Sequence, residues 1–230
     1  MSVGIALIAA LVGGYLVVRW PSEPRVTIGK NDEVYYYRRA TREDALALGQ
    51  ALRRIGFFND RGSSVLLWMG GGPTVISVAV GDGDWNRRDV VSNFTEIGRR
   101  VAYAVGGFPI QVHLVDAQRV VHRKMNVGDV VIGADIVYYF GDATADDAQA
   151  LGAALRAAGY FTGQGFTVSL LKGEGTVISF VVQQGMWDNM TVVAQLDKLV
   201  RQVAAGVGGF PVKLRLVDRD MTEKRAITVE

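Results

Sequence analysis

Most of this chain is written twice, and that repetition constrains its fold more than any motif or composition. Residues from about Val34 to Asp116 recur as Val137 to Asp218. Thr41 returns as Thr144, Leu48-Gly49 as Leu151-Gly152, and Gly56-Phe57-Phe58 as Gly159-Tyr160-Phe161. Thr74-Val75-Ile76-Ser77 returns as Thr176-Val177-Ile178-Ser179, Trp85 as Trp187, and Gly106-Gly107-Phe108-Pro109 as Gly208-Gly209-Phe210-Pro211. A pattern used twice must close a core twice, and a copy of roughly 100 residues is large enough to do so. The reading is an apolar segment over 1–20, a linker over 21–30, and repeats over 31–127 and 128–230.

Each copy carries the same local signals. Val34-Tyr35-Tyr36-Tyr37 suits a strand, and Thr41-Arg42-Glu43-Asp44, matched by Thr144-Ala145-Asp146-Asp147, reads as a capping box opening a helix. Ala45, Leu48, Leu52 and Ile55 then fall at helical spacing, as do Ala148, Leu151, Leu155 and Ala158. Gly56 and Gly159 end these helices. Val65–Met69 and Thr74–Val80 predict a hairpin about Gly70-Gly71-Gly72-Pro73, with Thr167–Leu171 and Thr176–Val182 as its counterpart. A second helix is expected to start at Asn86 or Asp188 as N-cap, with Trp85 or Trp187 as a hydrophobic staple. Its stripe is Val90, Phe94, Ile97 and Val101, or Val192, Leu196, Leu199 and Val203, and the last strand is Ile110–Val115 or Val212–Val217.

The order strand, helix, strand, strand, helix, strand resembles a ferredoxin-like βαββαβ unit, so the expected class is α+β, duplicated in tandem. In such a unit both helices cover one sheet face. If Ile76 and Val78 face the helices, Val75, Ser77 and Ala79 face away, as do Val177, Ser179 and Val181. Leu66, Trp68 and Leu171 join them, giving an apolar outer face and a candidate interface, with Lys213 and Arg215 keeping one edge polar.

From Val3 to Val18 the chain has no charge, and Arg19-Trp20-Pro21 closes the run. About 18 residues at 1.5 Å each give roughly 27 Å of helix, enough to span a hydrocarbon core. A single-pass membrane anchor is expected; a signal peptide fits less well because no basic region precedes the run. Arg19, Arg25 and Lys30 follow the run, and their charge predicts a cell-membrane protein with cytoplasmic domains. Ala6, Ala10 and Gly14 share one face, a spacing that permits close helix contact in lipid.

Chemistry is sparse in the sequence. There is no Cys, which removes thiolate catalysis and cysteine metal sites, and the 25 basic and 23 acidic residues are interspersed, which argues against nucleic acid. His113 and His122 are the only histidines and have no ligand-spaced partner. Asp82-Gly83-Asp84-Trp85-Asn86 opens like a calcium loop, but Arg87 stands where the turn needs Gly and Asn93 where the bidentate Glu belongs. Gly70-Gly71-Gly72 leads into a strand rather than a phosphate-binding helix, and Asp116 and Asp218 read as strand terminators. No catalytic, cofactor or metal site is expected. The functional expectation is a non-enzymatic, membrane-anchored binding or assembly module acting through a protein partner or as a homo-oligomer. The alternative is a small-ligand-sensing module with a site between the repeats.

Overall fold

The computed structural model describes residues 23–230, and the chain divides between Val127 and Gly128 into two units. In the first, β1 (Arg25–Ile28) and β2 (Asp32–Arg38) pair antiparallel, α1 (Arg42–Arg54) crosses over, and β3 (Ser64–Met69) lies parallel beside β2. β4 (Thr74–Ala79) returns antiparallel to β3. A short 3-10 turn (Asp84–Asn86) and α2 (Arg88–Val101) then carry the chain to β5 (Ile110–Val115), parallel beside β4. The first part of β6 (Val121–Ile132) pairs antiparallel with β5.

The second unit repeats this plan. The rest of β6 neighbours β7 (Asp135–Gly141), α3 (Ala145–Ala157) crosses to β8 (Thr167–Lys172) beside β7, and β9 (Thr176–Val181) returns. After α4 (Met190–Val203), β10 (Val212–Val217) lies parallel to β9, and β11 (Glu223–Val229) pairs antiparallel with β10. In each unit the strands therefore stand in chain order, in a mixed sheet.

This order overturns the ferredoxin-like expectation. A split βαβ unit interleaves its strands, so that each helix joins strands separated by another. Here each helix joins two adjacent parallel strands. The reason lies in strands that the sequence reading passed over. β1 forms inside the expected linker and takes one side of β2, while β3 takes the other, so no side of β2 is left for β5. β6 and β11, in segments where no strand was expected, take the corresponding side of β5 and β10. The expected transmembrane helix over 1–20, with Ala6, Ala10 and Gly14, lies outside the described residues. Among the described residues no helix is long and apolar enough to cross a membrane, so the membrane reading finds no support in the fold.

The core of each unit follows from strand register. Val34, Val65, Val78 and Leu114 align across β2 to β5, and Leu67, Ile76 and Val112 form the next row. In the second unit Val137, Val168, Phe180 and Leu216 align, beside Tyr139, Leu170, Ile178 and Leu214. Residues two apart share a sheet face, so both rows meet the helices. Leu48 and Leu52 of α1 and Phe94, Ile97 and Val101 of α2 are buried, as are Leu151 and Leu155 of α3 and Leu196, Leu199 and Val203 of α4. The two helices of each unit also pack on each other, so they share one face of the sheet.

Local signals set the helix ends. Thr41 and Thr144 each accept from the backbone N–H three residues on, and Asp44 and Asp147 accept in return from the Thr backbone, which completes both capping boxes. The second helices start one residue later than their sequences suggest. Asn189 rather than Asp188 caps α4, and Arg87 stands at the start of α2 without a side-chain cap. Gly49 and Gly152 bring α1 and α3 close to the sheet: a Cβ at either position would meet Ile28 or Ile132.

Two substitutions test this packing. Leu151, which is completely buried, should cost about 2–5 kcal/mol of stability when changed to Ala, because the cavity adds to the lost transfer energy. Gly49→Ala should also destabilise the protein by about 1–3 kcal/mol through overpacking against Ile28, despite the higher helix propensity of Ala. Chemical denaturation monitored by circular dichroism measures both; a stabilised Gly49→Ala protein would contradict the close approach of α1.

Candidate functional site

The nine outer-face positions expected to form an interface divide by burial. Val75, Ser77, Ala79 and Ser179 are buried, whereas Leu66, Trp68, Leu171, Val177 and Val181 are half-buried. In the first unit Leu66 packs against a small cluster of Tyr35, Ala79 and Val115. The Tyr35 hydroxyl donates to Glu33 at 2.7 Å, and Arg25 pairs with Glu33 at 3.1 Å. Burial, reinforced by the Glu33 carboxylate, raises the pKa of Tyr35. Trp68 and Val75 pair on the same face, which turns polar at β5 and β6: His113 Nε2 lies 3.2 Å from Gln111 Oε1, and Gln111 donates to Asn126 at 3.0 Å. Burial and the neighbouring Lys124 push the His113 pKa down to about 4, so the ring is neutral at pH 7.

A more distinctive arrangement stands at the carboxyl ends of the adjacent parallel strands, where open α/β sheets commonly place their sites. The backbone of Asp116, just past β5, accepts from the Arg119 N–H, and its side chain accepts from the Val120 N–H at 2.9 Å. The other carboxylate oxygen accepts from His122 Nε2 at 2.8 Å. The His122 ring in turn lies flat on Trp85, with centroids 3.8 Å apart and planes 9° from parallel. The hydrogen bond from His122, helped by the turn amides and opposed by burial, lowers the Asp116 pKa.

The second unit rebuilds the cluster with a different cation. Asp218 accepts from the Asp220 and Thr222 N–H groups at 3.0 and 2.9 Å and pairs with Lys224 at 2.9 Å. The Lys224 ammonium lies 5.8 Å from the Trp187 ring centroid. Arg225 adds a hydrogen bond to the Trp187 carbonyl at 3.2 Å. What the repeats share is thus a tryptophan face, a basic side chain and a turn-closing carboxylate, rather than the same acid–base pair.

The His122 ring and the Lys224 ammonium are aimed by the same backbone irregularity. On β6, Arg123 pairs with Leu114 and Val121 with Val115, which leaves His122 as an extra residue in a bulge. On β11, Arg225 pairs with Leu216 and Glu223 with Val217, which leaves Lys224 in the same place. A bulge re-aims one side chain without breaking the strand. In the sequence His122 has no ligand-spaced partner and Trp85 and Trp187 read as staples; the side chains that meet the tryptophans lie on strands for which the sequence carries no pattern. The matched spacing of Trp85, Asp116 and His122 with Trp187, Asp218 and Lys224 was the signal that could have found them.

A second matched pair of carboxylates is structural. Asp32, 1% exposed, accepts from the N–H groups of Asp60, Gly62 and Ser63 at 2.7, 3.0 and 2.8 Å. Asp135, also 1% exposed, accepts from Gly163, Gly165 and Phe166 at 2.7, 2.9 and 2.8 Å. Each closes the loop that returns its first helix to the sheet. Burial alone would raise the Asp135 pKa, but the amide donors outweigh it and lower it.

At the opposite end of β5 and β10, Gly106-Gly107-Phe108-Pro109 and Gly208-Gly209-Phe210-Pro211 form loops with cis Phe–Pro bonds, and all four glycines have positive φ. Phe210 is 49% exposed, and Tyr103, 74% exposed, packs edge-on to Phe108 with centroids 5.4 Å apart. The Asp82-Gly83-Asp84-Trp85-Asn86 segment, which only opens like a calcium loop, ends in the 3-10 turn, where Arg87 pairs with Asp84 at 3.1 Å and with Asp89 at 2.6 Å. Among the described residues no group of His, Asp or Glu is arranged to hold a metal ion. Comparisons with protein-family models, curated proteins and solved structures find no match for this chain.

The carboxylates give a signed pH dependence. Asp116, Asp135, Asp147 and Asp218 all have lowered folded pKa values. Their contribution is present above the unfolded carboxylate value of about 4 and is lost as pH falls through the lower folded values. Stability measured by denaturant should therefore fall steadily below about pH 4. Asp135→Asn should be less stable than wild type at pH 7, because an amide nitrogen meets backbone donors, and the gap should narrow in acid; a constant gap would contradict the assigned role.

Proposed function

We propose that this protein is a non-enzymatic binding module that acts through protein–protein contacts, offering one contact surface in each repeat. The observation that supports this reading most is the exposure of Phe210 on the second Gly-Gly-Phe-Pro loop and of Tyr103 in the 3-10 turn that leads into the first. The cores are filled by other residues, so fold stability does not require a phenylalanine at these loop tips. Exposed aromatic rings are strong anchors for a partner because they bury large area at low entropic cost. A single exposed ring is unremarkable, but each repeat exposes one near the start of its last parallel strand, at positions that are not equivalent, and two such anchors raise avidity wherever both can engage. The replacement of His122 by Lys224 supports the non-catalytic side of the proposal, since proton transfer is not a shared property of the repeats.

Self-association is the simplest form of this activity. Light scattering of the full chain should give a mass above 24.9 kDa that rises with concentration. Tyr103→Ser combined with Phe210→Ser should return it toward the monomer with little change in melting temperature. A strict monomer, unchanged by these substitutions and stabilised by a small metabolite, would overturn the proposal in favour of ligand sensing.

A further inference from the structure

We propose that Trp85, His122 and Asp116 form a protonation-operated clasp on the β5–β6 turn, of which Trp187, Lys224 and Asp218 are the lysine-built counterpart. This inference is independent of the partner-binding reading. It rests on two geometric facts: the stacked and hydrogen-bonded position of His122, and its identical placement to Lys224 in a bulge. A neutral imidazole donates one hydrogen bond to Asp116 and stacks on the indole. A protonated imidazole keeps both contacts and adds a full charge against the carboxylate and over the ring, which strengthens each. Lys224 puts an ammonium where the first unit has an imidazole, and among residue types histidine is the one used to switch charge near neutral pH.

The His122 side chain is 30% exposed, which lets protons exchange with solvent. The charges around it come from several elements. Asp116 faces it from the end of β5; Arg123 and Lys124 follow it on β6, and Arg119 lies in the turn. The 3-10 turn that carries Trp85 brings Asp84, already paired with Arg87. The Asp116 carboxyl stays ionised well below neutrality, so it opposes the surrounding cations and favours the charged ring. The clasp ties the loop after β4 to a hairpin tip that exposes Val120 and Val121, 54% and 40% exposed, and its tightening at lower pH restrains that tip.

The test uses the full chain as wild type, His122→Lys, His122→Gln and Trp85→Phe, each followed from pH 8 to pH 5. An imidazolium in face contact quenches indole emission. Wild-type fluorescence should fall sigmoidally on acidification, and the transition should vanish in Trp85→Phe, His122→Gln and His122→Lys. His122→Lys should melt about 2–4 °C above wild type at pH 8, with the gap closing by pH 5, because only the wild type gains charge. His113→Gln should keep the wild-type transition, since that ring titrates near 4. The same transition in His122→Gln as in wild type, or a melting gap for His122→Lys that does not change with pH, would overturn the proposal.

Discussion

Side-by-side parallel pairing, β2 with β3 and β4 with β5, is the constraint from which the rest of each unit follows. Once a crossover helix joins neighbouring strands, it must lie over the strands it joins, and the valine and leucine rows align beneath it. Parallel strands are normally covered on both faces. β4 shows the consequence: Val75, Ile76, Ser77, Val78 and Ala79 are all buried, so the serine and alanine of its outer face sit in surroundings as closed as those of its core face. The antiparallel strands β1 and β6, and β11 in the second unit, occupy the remaining sides of the parallel strands. By doing so they exclude the interleaved alternative that the same element order could have adopted.

Elements whose stability is local were legible from the residues. Both capping boxes, the apolar stripe of α2 and the two Gly-turn hairpins rest on interactions within a few residues, and the structure contains them. Strands β1, β6 and β11 were not legible, because pairing with a neighbour holds them rather than an apolar pattern. In Glu223–Val229 only Val229 is buried, and Val121 to Lys124 carries no alternation. Strand order was invisible for the same reason. The capping error at α2 and α4 arose from reading Trp85 and Trp187 within a local frame, when each packs beside a residue far along the chain.

The candidate site was legible only as repetition. His122 looked isolated because its counterpart is a lysine, and Asp116 looked like a strand terminator because it is one as well as a partner of His122. Each unit therefore has two differentiated ends. The carboxyl ends of β4 and β5 carry a partly exposed polar clasp, and the amino end of β5 carries an exposed aromatic ring; the second unit keeps the clasp and puts a lysine in place of the histidine. Of the three clasp residues only the one in the bulge changes between the units, and that change is what makes the clasp a candidate for regulation rather than for scaffolding alone.

Strand order is the claim on which all of this stands, and backbone amide NOEs in the isotope-labelled full chain test it most directly. The account predicts contacts between Tyr35 of β2 and the backbone at Leu66 of β3, with the matching contacts between Tyr138 of β7 and Ser169 of β8. Backbone contacts of β2 with β4 or β5 in place of β3 would mean interleaved strands and would contradict it.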